Sequence, residues 1–123
     1  MFDETYNLKQ NKNIYFAGQI TGVEGYVESI ASGMVVAINA ATQYLSKGVE
    51  PNSEQQNKCI FPKETVIGAL SEFISSPNKN FQPMNANFGI LPELEEKIKD
   101  KKQRYEKMAK RSMQNMTKML QKY

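Results

Sequence analysis

The apolar residues of this chain fall into one short continuous run and three helical stripes. Ile14 to Ala17 is the run; bounded by Gly18, it predicts a strand buried on both faces of a parallel sheet. Nothing else in the chain is equally strand-like. After a glycine-rich turn, Val27, Ile30, Ala31, Met34, Ile38, Ala41 and Tyr44 or Leu45 recur at helical spacing, predicting an amphipathic helix over Tyr26 to Leu45. Ser29, Ser32, Gly33, Ala37 and Ala40 form a second stripe of small residues, which suits close approach to a sheet or a cofactor.

The stretch "SKGVEPNSEQQNK", Ser46 to Lys58, has the composition of an exposed loop or linker. Beyond it, Pro62 is placed as a first-turn proline, and Val66, Ile67, Leu70, Phe73 and Ile74 predict a short helix that stops before "SSPNKN". "FQPMNANFGILPEL", Phe81 to Leu94, follows no period and reads as an ordered, irregular loop. From Pro92 onward, acidic residues come early and basic ones late, matching a helix dipole. Leu94, Ile98, Tyr105, Met108 or Ala109, Ser112 or Met113, Met116 and Leu120 supply the apolar face of a helix of roughly 25 to 30 residues, against a mean of about 11 to 12.

One strand cannot make a sheet, and a strand buried on both faces needs neighbours on either side. The pattern therefore predicts the C-terminal part of a larger α/β protein, or half of a two-chain one.

Composition narrows the chemistry. The chain has 123 residues, 40% of them apolar, with no histidine and one cysteine, Cys59. A zinc site of ordinary type, an internal disulfide and a Cys-His nucleophile pair are excluded within it. Cys59, in the linker, is expected to be inert or merely exposed. No run of about 18 apolar residues is present to span a bilayer, and the N-terminus lacks the pattern of an export signal, so the expected location is cytoplasmic. The net charge of +3 hides an asymmetry: residues 1–96 hold 6 basic and 11 acidic side chains, residues 97–123 hold 10 basic and 2 acidic. Such a basic block suits either a polyanion or a solvated helix face.

Four of the seven glycines, Gly18, Gly22, Gly25 and Gly33, lie in "NIYFAGQITGVEGYVESIASG", Asn13 to Gly33, although it contains no G-x-G-x-x-G. One reading is a plain strand-to-helix connection. The other is a ligand site: glycines permit positive φ and close approach to the backbone, and first-turn N–H groups favour an anion or electron-rich oxygen. Such a turn sits outside the carboxyl end of a strand, where open α/β sheets bind ligands. Gln19 and Glu24 would stand at its mouth.

"IYFAGQITGVEGYVESIASG" resembles the C-terminal flavin-binding segment of the folate- and FAD-dependent tRNA (uracil-5-)-methyltransferases, and "FPKETVIGAL" and "NFQPMNANFGILPELEEKIKDKKQRYE" resemble later blocks of that family in the same order. A related flavoprotein family that modifies wobble uridines shares a similar first segment; the two later blocks favour the methyltransferases. The resemblance implies that residues 1–48 are the last buried strand, turn and helix of a two-dinucleotide-binding-type FAD domain. Residues 49–60 are then a linker, and 61–123 a mostly helical region with an irregular 81–92 loop and a long basic C-terminal helix.

It further implies FAD as cofactor, methylenetetrahydrofolate as one-carbon donor, NAD(P)H as reductant, and a tRNA T-loop uridine as acceptor at C5. Gly18, Gln19, Gly22, Glu24, Gly25 and Tyr26 are the implied cofactor-binding residues, with Glu28 beside them. Gln19 takes the place of an Asp found in many two-domain flavoproteins; its amide both donates and accepts but carries no charge. The pyrophosphate-binding motif and catalytic cysteines of the family belong upstream, so no catalytic residue is expected here, and the isolated chain is expected to be inactive. The missing N-terminal FAD-binding region is the expected partner.

Asn85, Asn87 and Phe88 are candidates for a folate or substrate loop, since amides and an aromatic suit a flat heterocycle; alternatively the asparagines hold the loop's own backbone and the aromatics pack. Lys101, Lys102, Arg104, Lys110 and Arg111 are the RNA-binding candidates. Two other functions fit the same residues: the same chemistry on ribosomal RNA, and a non-catalytic fragment or RNA-binding subunit.

Overall fold

A computed structural model describes residues 1–46 and 58–122. Residues 49–57 of the expected linker lie outside the described residues. The fold is mixed α and β: strands β1 (Asn7–Leu8) and β2 (Asn11–Tyr15), then helices α1 (Tyr26–Leu45), α2 (Val66–Ser75) and α3 (Lys101–Leu120), with single 3-10 turns at Gln19–Thr21 and Phe88–Ile90. None of these helices is long and apolar enough to cross a membrane.

β1 and β2 pair antiparallel, Asn7 opposite Tyr15 and Leu8 opposite Asn11, with an irregularity between Asn7 and Leu8. The expected strand at Ile14 to Ala17 is thus shifted to Asn11–Tyr15, and its neighbour within this chain is antiparallel. The strand ends at Tyr15 and its first four residues are exposed. The cause is local: the chain reverses after Leu8, so β2 pairs with its own predecessor, and among the described residues no second strand flanks it.

The N-terminus is more ordered than its polar sequence suggests. The Asp3 carboxylate accepts from Thr5 N, Thr5 Oγ1 and Asn7 N at 2.9, 2.7 and 3.2 Å, and pairs with Lys58 at 2.7 Å. That turn carries Phe2 and Tyr6 into the core. Tyr6 adopts φ 60, an uncommon conformation for a bulky residue. Burial of its ring, only 2% exposed, offsets the strain.

α1 has the bounds its period predicts, but within this chain it packs through a mostly polar stripe. Glu28, Ser32, Val35 and Asn39 face inward, while Val27, Ile30, Met34, Ile38 and Leu45 are exposed. The inward polar groups are all partnered, which makes their burial tolerable. Ser32 Oγ accepts from Gly18 N at 2.8 Å. Asn39 donates to Cys59 O at 3.0 Å and accepts from Cys59 N at 2.8 Å. Cys59 is accordingly not exposed: it is buried in the main core with Phe2, Tyr6, Val23, Val35, Phe61, Ile74 and Met119.

α2 is capped by Thr65, whose Oγ1 accepts from Gly68 N at 3.1 Å. Pro62 therefore precedes the helix instead of opening it, and its carbonyl accepts from Thr65 N at 2.9 Å. α3 is shorter than expected. Asp100 caps it by accepting from Gln103 N at 2.8 Å, and residues 92–99 run irregularly alongside the helix. Arg111 fixes that arm by donating to the carbonyls of Pro92 and Glu93, and Lys107 pairs with Glu96 at 2.6 Å. Of the early acidic residues, Glu96 thus answers α3 from outside it. Met119, not Leu120, is the buried residue at its far end. Met108 joins Ala69 and Leu91 in a second cluster, so α3 ties both cores together.

Candidate functional site

The turn between β2 and α1 is built on three left-handed glycines: Gly18 at φ 80, Gly22 at φ 100 and Gly25 at φ 113. Their surroundings differ. A Cβ on Gly22 would lie 2.1 Å from the Phe81 ring, and one on Gly25 would lie 2.2 Å from Glu28 Oε2. A Cβ on Gly18 would meet nothing within 4 Å. The space beside Gly22 and Gly25 is thus filled by the chain's own side chains, whereas of the three only Gly18 has open space there, its N–H and carbonyl being bonded to Ser32 and Thr21. Gln19, Glu24 and Tyr26 are exposed, Tyr26 at 91%.

The irregular loop comes to this turn. Met84 N donates to Gly22 O and Glu24 N donates to Met84 O, both at 2.9 Å, forming a parallel bridge between Val23 and Met84. One residue beyond Asn85, Ala86 N donates to Glu28 Oε1 at 2.7 Å. Gly22, Glu24 and Gly25 are thereby gathered with Asn85. Asn87 instead holds the loop: its Oδ1 accepts from Gly89 N at 2.8 Å and its Nδ2 donates to Asn85 O at 2.9 Å. Phe88 turns away to stack on Tyr105 of α3, ring centroids 4.3 Å apart and 9° from parallel.

Glu28 also changes the electrostatics of the turn. The N–H of Ala86, and then its own backbone N–H, hold its carboxyl below the ordinary carboxylate range. A negative group thus already sits in the first turn of α1, where the helix dipole favours one. An added ligand at this N-terminus suits an electron-rich neutral oxygen better than a full anion.

On α3, Lys101, Lys102 and Lys110 are exposed. Arg104 lies 5.7 Å from the Tyr105 ring and reaches Ile98 O at 3.5 Å. Arg111 is committed to its clamp on Pro92 and Glu93. The contribution of Glu28 and Met84 to joining turn and loop is absent from the sequence motifs. One signal points toward it: Glu28, Ser32 and Asn39 are polar residues recurring at helical spacing with Val35, a stripe whose polarity needs internal partners.

The glucose inhibited division protein A family matches residues 1–48, the hairpin, glycine turn and α1. Particular relatives extend the match over nearly all of the chain. The methylenetetrahydrofolate--tRNA-(uracil-5-)-methyltransferase TrmFO of Staphylococcus epidermidis is 55% identical over 116 residues, covering 93% of this chain and 25% of its own length. The same-named proteins of Staphylococcus carnosus and Staphylococcus aureus are 53% and 54% identical over 115 residues, covering 92% of this chain and 24% of theirs. The resemblance to the C-terminal region of the folate- and FAD-dependent tRNA (uracil-5-)-methyltransferases therefore holds. The chain spans about a quarter of the length of the curated relatives it matches.

Proposed function

We propose that this chain forms the C-terminal part of a flavoprotein that methylates C5 of a tRNA T-loop uridine, with methylenetetrahydrofolate as donor and NAD(P)H as reductant. The observation that carries this reading is the junction of the Gly18–Tyr26 turn with the Asn85–Asn87 loop through Met84 and Glu28. Two segments distant in sequence, one resembling a flavin segment and one suited to a flat heterocycle, share one surface. The relatives' names carry tRNA, which favours it over ribosomal RNA as substrate.

The residues present fit FAD at Gly18 and Gln19. Gly18 has open space at its Cα, so a ligand can pack against it while its N–H and carbonyl stay bonded to Ser32 and Thr21, and the exposed Gln19 amide offers both a donor and an acceptor. Bound FAD would supply the carrier and reductant for the one-carbon unit. The chain's own part is positional. The turn presents Gly18 and Gln19, the loop holds Asn85 against the same surface, and exposed Lys101, Lys102 and Lys110 attract phosphates. The exposed apolar stripe of α1, Val27 to Leu45, is the face that the N-terminal FAD-binding region would cover.

The test is a chimera in which this chain replaces the matching quarter of the Staphylococcus epidermidis methyltransferase. It should purify with stoichiometric FAD, and Gly18→Val, which closes the open face, should lose most of it. Unchanged FAD content in that variant would remove Gly18 from the cofactor site.

A further inference from the structure

Glu28 is 8% exposed and touches both halves of the candidate site. Its Oε1 accepts the Ala86 N–H at 2.7 Å, and its Oε2 fills the space in front of Gly25, where a Cβ would stand only 2.2 Å away. Glycine at position 25 is favoured by φ 113, and its missing Cβ leaves room for the carboxylate it faces.

The loop has two further restraints. Met84 is held on both its N–H and its carbonyl by Gly22 and Glu24, and Asn87 closes the far side through Asn85 O and Gly89 N. Asn85 therefore lies between two fixed neighbours, Met84 and Ala86, with its own side chain exposed. Of the restraints on the two residues flanking Asn85, the one at Met84 is backbone pairing that any sequence could make. The one at Ala86 depends on a single side chain, and a carboxylate makes it a charge-assisted, part-buried bond.

We infer that Glu28 is a positioning residue, whose carboxylate fixes where Asn85 stands relative to the glycine turn and so how a flat heterocyclic substrate is held there. The substrate part rests on the function proposed above; the latch itself rests on the geometry alone. On this inference Glu28 acts through the loop, by its bond to Ala86. Shortening it to Asp keeps the charge but withdraws the acceptor by about one carbon–carbon bond, beyond hydrogen-bonding distance of Ala86. Replacing it with Gln keeps an oxygen at the same reach.

The experiment uses the chimeric methyltransferase with Glu28→Ala, Glu28→Asp, Glu28→Gln, Asn85→Ala and the Glu28→Ala/Asn85→Ala double variant. Steady-state kinetics for folate and tRNA are combined with amide hydrogen exchange at Ala86. Glu28→Ala and Glu28→Asp should raise at least one KM about tenfold with kcat within about threefold, and Glu28→Gln should stay within about threefold throughout. The double variant should be no worse than Asn85→Ala, because Glu28 acts only by placing the Asn85 side chain, which is then already gone.

Multiplicative effects in the double variant, or both KM values unchanged in Glu28→Asp, overturn the inference. If Glu28→Ala does not fold, the order of Asp and Gln decides: Gln worse than Asp overturns it. An unsubstituted chimera that binds FAD but transfers no methyl group counts against the proposed function instead. Exchange at Ala86 then still judges the latch, which fails if Glu28→Asp leaves that exchange unchanged.

Discussion

Val23 and Met84 lie side by side as a parallel bridge, with Met84 bonded on both its N–H and its carbonyl. That pair seats the irregular loop on the glycine turn, and Val23 beneath it is only 1% exposed. The bridge thus anchors the candidate site directly on the main core.

Core stability depends on a close backbone approach at Gly68. In an exposed helix interior, glycine to alanine gains roughly 1 kcal/mol from propensity. Here an added Cβ would meet Pro62 O at 2.0 Å and Phe61 O at 2.6 Å, both backbone atoms that cannot swing aside. Overpacking wins, and Gly68→Ala should cost about 2 kcal/mol net in chemical denaturation. A stabilised variant would show that the 61–62 segment yields freely.

Asn39 holds the backbone of Cys59 at both its N–H and its carbonyl, and also donates to Val35 O at 2.9 Å. Asn39→Ala strands buried groups and should cost about 3 kcal/mol. Asn39→Asp keeps the acceptor but turns a carboxylate oxygen toward two carbonyls, so it should be the less stable at neutral pH and recover as acid protonates it. Equal thermal midpoints for Asn39→Asp at pH 7 and pH 4 would contradict this.

Acid should loosen the N-terminal turn. Burial alone would raise the Asp3 carboxyl, but Lys58, Thr5 and Asn7 together outweigh it and hold the group below its ordinary value of 3.8. A depressed folded value means the stabilisation is present above 3.8 and is lost as pH falls through the lower folded value. Asp3→Asn should flatten the acid limb of a stability–pH curve. An identical acid limb in that variant would assign the loss to other carboxylates, Glu28 and Glu96 first, since both are also depressed.

The basic residues of α3 should divide into two groups. Arg111→Ala releases the Pro92 and Glu93 carbonyls and should lower stability by about 1 to 2 kcal/mol. Reversing Lys101 and Lys102 should leave the chimera's stability nearly unchanged, weaken tRNA binding and lower its salt dependence. If the reversal leaves the salt slope of tRNA binding intact, α3 is a solvated face only.

The sequence made some of this legible and concealed the rest for physical reasons. The bounds of α1 followed from a strong period. Its orientation did not, because Glu28, Ser32 and Asn39 are buried by virtue of partners at Ala86, Gly18 and Cys59 that only tertiary contact supplies. The start of α3 was masked because Glu93, Glu95 and Glu96 look like a first helical turn, yet Asp100 provides the cap. Phe2 and Tyr6 were hidden as isolated apolar residues among polar ones; the Asp3 turn is what sends them inward. The glycine turn and the asparagine loop were each readable as candidate chemistry. Their contact was not, since it runs through backbone atoms of Met84.

The most direct measurement of the central claim is transfer of a labelled one-carbon unit from methylenetetrahydrofolate to tRNA by the chimera carrying this chain. Label should appear at a T-loop uridine of tRNA, at a rate cut at least about tenfold when Asn85 is replaced by alanine. A folded, FAD-loaded chimera that labels no tRNA, or labels ribosomal RNA in its place, would contradict the account.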